Sequence, residues 1–166
     1  MQALLITLPL FLCTLFGQAQ TKCNCCTINH QQFDFWVGDW DVYDTSGKKV
    51  GENKIEKLEN ECIVSENWKG ATGASGRSYN YYNVADSTWN QVWISNSGNN
   101  LVLKGKAATN KMILKSELIK NEKGDYYNQI TWTKNEDDSV TQLWEILNEK
   151  GESLSLAFKG FYKSKN

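Results

Sequence analysis

From Phe33 onward the chain alternates apolar and polar residues with a period of two, in short runs broken at roughly ten-residue intervals by Gly, Asn and Asp. Successive side chains of a strand point to opposite faces, so this rhythm builds half-buried strands rather than amphipathic helices. β-branched and aromatic residues fill the runs, which supports the same reading. Strands are expected near 36–44, 49–58, 61–69, 76–84, 88–96, 100–106, 111–119, 126–134, 139–147 and 153–162. Turn residues separate them, from Thr45-Ser46-Gly47 to Lys150-Gly151. The sole proline, Pro9, precedes them all, so no run carries the residue that marks an edge strand. The expected fold is therefore all-β: a single antiparallel up-and-down β-barrel of about 8–10 strands. One short helical turn is expected before it, over Thr27 to Gln32. A chain of 166 residues holds one such domain, here placed at 33–166.

Alternation also sorts the faces. Trp36, Gly38, Trp40 and Val42 share one side, with Asp39, Asp41 and Tyr43 opposite. On the same side follow Cys62, Val64, Glu66 and Trp68, then Ser78, Asn80 and Tyr82, then Trp89, Gln91, Trp93 and Ser95. Leu101, Leu103 and Gly105 come next, with Met112, Leu114 and Leu118, then Ile130 and Trp132. Val140, Gln142, Trp144 and Ile146 precede a last set of Leu154, Leu156, Phe158 and Tyr162. All seven tryptophans fall on this face, and most Lys, Thr and Glu residues on the other.

Leu4 to Phe16 is an uncharged apolar run of 13 residues, too short for a transmembrane helix of about 20. It fits the apolar region of a secretory signal, and Gly17-Gln18-Ala19 offers a cleavage site, so 1–19 reads as a signal peptide. A Cys-rich segment, 20–32, would then lead the mature chain. No later stretch is able to span a membrane as a helix, and the mature protein is expected to be exported, periplasmic or secreted. Cleavage removes Cys13 and leaves Cys23, Cys25, Cys26 and Cys62, an even number that points to disulfides with three possible full pairings. Adjacent Cys25 and Cys26 rarely join each other, so one of them should reach Cys62. A metal site of Cys23, Cys25, Cys26 and His30 is the competing reading, but C-x-C-C matches no standard zinc spacing and an oxidising compartment disfavours free thiolates.

Gly38-Asp39-Trp40, after a short helical turn, resembles the G-x-W signature of lipocalin-like (calycin) barrels. The wider set is similar to a poorly characterised group of exported bacterial lipocalin-like domains: Phe33-Asp34-Phe35-Trp36-Val37, Glu66-Asn67-Trp68, Gly76-Arg77-Ser78-Tyr79-Asn80-Tyr81-Tyr82, Trp89-Asn90-Gln91-Val92-Trp93 and Gln142-Leu143-Trp144-Glu145. The resemblance runs from Phe33 to near Tyr162 and implies a ligand-binding cup, with no reaction attached. Lipocalins also carry a basic residue near the last strand that packs over the signature tryptophan; Lys163 occupies that region here.

A net charge of −1 and a single arginine, Arg77, argue against nucleic-acid binding. The only histidine, His30, lies in the N-terminal turn, where a surface or capping role is expected. No nucleophile–base pairing, metalloprotease motif, P-loop or dinucleotide glycine pattern is present. No catalytic residue, metal or cofactor is assigned. The polar residues on the aromatic face either satisfy one another or orient a ligand, and a pocket needs such fixing points amid apolar walls. The expected ligand-binding set is Glu66, Trp68, Ser78, Asn80, Tyr82, Trp89, Gln91, Trp93, Trp132, Gln142 and Trp144, around a small, partly apolar molecule. Trp36 and Trp40 are read as floor packing, and Gly70 to Gly76 as a loop at the cup's mouth. Two alternatives stand beside this one: a cell-envelope interaction module with a filled barrel, and a small enzyme using Glu66 as acid or base.

Overall fold

The computed structural model describes residues 23–165; the expected leader over 1–19 lies outside them. Ten strands form: β1 (Gly38–Tyr43), β2 (Lys49–Leu58), β3 (Ile63–Gly70), β4 (Ser75–Asn83), β5 (Thr88–Ser95), β6 (Asn100–Ala108), β7 (Lys111–Lys115), β8 (Tyr127–Lys134), β9 (Val140–Leu147) and β10 (Ser153–Ser164). Each pairs antiparallel with its chain neighbour, and β1 pairs with β10 to close the barrel. This is the all-β antiparallel barrel that the alternation predicts, and its architecture is calycin-like, as the resemblance implies; closure leaves the barrel no exposed sheet edge. Among the described residues no helix is long and apolar enough to cross a membrane.

The inner face is apolar because the strands place Val42, Ile55, Val64, Leu103, Met112, Leu114, Ile130 and Val140 there, all essentially buried. At one end the segment before β1 folds into the barrel as a plug. A 3-10 turn over Asp34–Trp36 follows hydrogen-bonded turns that begin at Thr27, so the regular helical turn lies later than 27–32. Trp36 belongs to it, not to β1. Phe33 and Trp36 are fully buried and stacked at 4.9 Å, and both meet Trp132. The Trp40 indole donates to the Trp36 carbonyl at 2.8 Å, which ties the plug to β1. His30 is also buried rather than exposed: its Nδ1 lies 2.7 Å from Thr27 Oγ1 and its ring meets Tyr82 edge-on.

The plug is fastened covalently. Cys25 joins Cys62 beside the β2–β3 turn, and Cys23 joins Cys26. All four thiols are thereby consumed, which overturns the metal reading of the cysteine cluster. A buried-stem ion pair, Lys57 to Asp34 at 2.5 Å, adds a second attachment.

Strand-face expectations fail at Cys62, which lies in the β2–β3 turn just before β3, and at Leu118, Leu154 and Leu156. Leu154 and Leu156 are 59% and 55% exposed, not internal. The β9–β10 register shifts between Ser153 and Ser155 and again between Leu156 and Phe158. An inserted residue flips the side chains that follow, so Phe158 regains the interior. β7 ends at Lys115, leaving Leu118 outside it. Lys163 pairs with Asp41 and reaches the Tyr43 ring at 5.5 Å, away from Trp40.

Candidate functional site

The end opposite the plug is open. A cavity of about 350 Å³ extends inward from a mouth made by Ala74 and Ser75 beside the β3–β4 turn and Asn96, Ser97 and Asn99 of the β5–β6 turn. Trp68, Trp93, Trp132 and Trp144 wall it, with Leu101, Ile130 and Phe158. Glu66, Gln91, Gln142 and Tyr162 supply its polar side. The glycine-rich loop therefore does stand at the mouth.

Glycines set where two of these rings lie. A Cβ on Gly76 would come within 2.7 Å of the Trp93 ring, and one on Gly51 within 2.4 Å of Trp68. Each indole lies across bare backbone of an adjacent strand, in space that any side chain would fill. Trp144 is held differently, by a 2.8 Å hydrogen bond from its Nε1 to Asn128 Oδ1. Trp132 is buried, and its Nε1 has no hydrogen-bond acceptor among the described residues.

Behind the polar side runs a chain of hydrogen bonds through six strands. Gln91 donates to Asn80 at 2.7 Å, Asn80 to Ser78 at 3.0 Å, and Ser78 to Glu66 Oε2 at 2.8 Å. Asn53 donates to Glu66 Oε1 at 2.7 Å and to the Tyr162 hydroxyl at 3.3 Å, and that hydroxyl donates to Gln142. Glu66 is thus an acceptor from neutral donors on both sides and, among the described residues, has no cationic partner. Burial pushes its carboxyl above the ordinary range, against the opposing pull of the Asn53 and Ser78 hydrogen bonds. Tyr162 is raised well above its usual value, first by burial and then by the nearby Glu66 charge, with Asn53 pulling the other way.

Of the eleven residues expected from sequence, Glu66, Trp68, Gln91, Trp93, Trp132, Gln142 and Trp144 border the cavity. Ser78 and Asn80 stand behind Glu66 in the hydrogen-bond chain. Tyr82 and Trp89 are at the other end: Trp89 meets Phe33 and donates to Gln32 at 3.1 Å, and Tyr82 meets His30 and Trp89. Asn53, which joins Glu66 to Tyr162, was not anticipated. Its signal was present, since Gly51, Asn53 and Ile55 alternate with charged residues along β2 and all three are buried. Compared with known proteins, the chain matches no protein-family model and no curated protein.

Proposed function

We propose that this barrel binds a small, partly apolar molecule in its open-ended cavity and does not transform it. The observation that carries the reading is the pairing of four tryptophan walls with a localised polar side at Glu66, Gln91 and Gln142. Binding pockets combine apolar walls with a few placed polar groups in this way, whereas packed cores favour polar-free filling. The wall is assigned to Trp68, Trp93, Trp132 and Trp144, with Ser78 and Asn80 supporting Glu66 from behind. The reading places the mature protein outside the cytoplasm. Two disulfides suit an oxidising compartment, and the apolar run before Gly17-Gln18-Ala19 suits a cleaved leader.

Titration of small aromatic and aliphatic compounds, followed by tryptophan emission, tests the reading. Saturable quenching or a spectral shift that Trp93→Ala weakens and Trp89→Phe leaves intact is the expected result. Emission unmoved by every compound, with nothing retained in native mass spectrometry of protein from its own host, would reject it.

A second reading has its own observation. Tyr79, Tyr81, Val92, Ile94 and Val102 are exposed on the outer face of β4, β5 and β6, and Tyr79–Val92 and Val92–Val102 are direct cross-strand neighbours. An apolar patch of this kind suits an interaction module. Paired Tyr79→Ser and Ile94→Ser substitutions would then change association without changing the ligand titration.

A further inference from the structure

We infer that the molecule held in the cavity is a compact organic cation, an aryl- or alkylammonium whose nitrogen meets Glu66 while its hydrocarbon part lies against the tryptophans. The inference rests on the binding reading above and names its ligand class.

Charge is the first ground. Among the described residues, those bordering the cavity include no Lys, Arg or His, and Glu66 is the one carboxylate among them. The titratable group facing Glu66 is Tyr162 from β10; its partners from β2 and β4, Asn53 and Ser78, are neutral. Each Glu66 oxygen takes one neutral donor, which leaves roughly half of a carboxylate's four or so lone-pair sites available. An anionic ligand would meet that carboxylate with no cation to offset it. A cation supplies what burial has withheld, and its arrival lowers the carboxyl's raised affinity for a proton.

The walls are the second ground. Trp68, Trp93, Trp132, Trp144 and Phe158 surround the same space. Aromatic faces attract cations within about 6 Å of the ring centroid, and indole does so best. Size is the third. About 350 Å³ lies near the lower end of the ~300–1,000 Å³ range for ligand pockets, which suits one ring or a short chain.

A matched trio tests the inference on the full mature chain: phenethylammonium, 2-phenylethanol and 3-phenylpropanoate, titrated near pH 8 by calorimetry. The ammonium is expected to bind at least about tenfold tighter than the alcohol, with the carboxylate weakest, and Glu66→Gln is expected to cut the ammonium's advantage several-fold. A second measurement needs no variant: as pH falls and Glu66 takes up its proton, affinity for the ammonium should drop while that for the alcohol holds. Alcohol or carboxylate binding as tightly as the ammonium, or a Glu66→Gln protein that keeps the preference in full, overturns the cation assignment and leaves the binding cavity standing. Failure of all three compounds overturns the assignment and counts against the cavity reading as well.

Discussion

Asn53 donates a 2.7 Å hydrogen bond to Glu66 although the two are diagonal in the β2–β3 ladder, where Asn53 opposes Trp68 and Ile55 opposes Glu66. The contact is therefore made by side chains reaching along the inner face, not by strand pairing. It draws a buried carboxyl towards the middle of a polar chain that continues to Tyr162 and Gln142. Two consequences follow for Glu66: a fixed position, and a proton affinity set by burial more than by its neighbours.

The first prediction concerns pH. Burial raises the folded-state pKa of Glu66 above its ordinary 4.5. Below that ordinary value both folded and unfolded chains hold the proton, and the residue adds no pH dependence. Above it the unfolded chain releases its proton first, so stability falls as pH rises, until the folded-state pKa is passed. Glu66→Gln removes this loss. Urea denaturation at several pH values should show the variant gaining on the wild type as pH increases, and a gap that widens towards acid would contradict it.

Gly76 is expected to be intolerant of even one methyl group. Its Cβ would stand 2.7 Å from the Trp93 ring, a rigid group with little freedom to yield. Gly76→Ala should cost about 1–3 kcal/mol through overpacking and shift tryptophan emission as the ring is displaced. Denaturation coupled to fluorescence reads both effects.

The two disulfides should differ in worth. Cys25–Cys62 spans a sequence separation of 37, and Cys23–Cys26 one of 3. Chain-entropy arithmetic gives about 4 kcal/mol for the longer loop and under about 2 kcal/mol for the shorter. Cys25→Ala/Cys62→Ala should accordingly lower the urea midpoint more than Cys23→Ala/Cys26→Ala, and equal losses would count against the staple.

Phe33 anchors the plug through rings at 4.9–5.6 Å from Trp36, Trp89 and Trp132. Phe33→Ala should lose about 3–5 kcal/mol, the usual range for deleting a buried phenyl group. Thermal and chemical unfolding both measure it.

Strand number and identity were legible because parity is a strong local signal; the expected 49–58 coincides with β2, and most other limits lie within two residues. Parity yields the face of a side chain but not its height along the barrel. That is why Tyr82 and Trp89 share the inner face with Trp93 yet lie on the plug rather than on the cavity. Leu154 and Leu156 were misplaced for a different reason, since the register shifts in β10 leave no mark in an alternating sequence. The hydrogen-bond chain is legible in large part: Glu66, Ser78, Asn80, Gln91 and Gln142 are identifiable as polar residues on an apolar face. Their order needs cross-strand geometry, which also joins Asn53 and the inner-face Tyr162 to the chain.

Closure by β1 with β10 sets Trp40 opposite Ser164 and Tyr43 opposite Phe161. The barrel's first strand must therefore wait for its last before the cylinder is complete. Until then β1 and β9 each present an unpaired backbone edge, so the interval before β10 docks leaves this molecule open to mispairing.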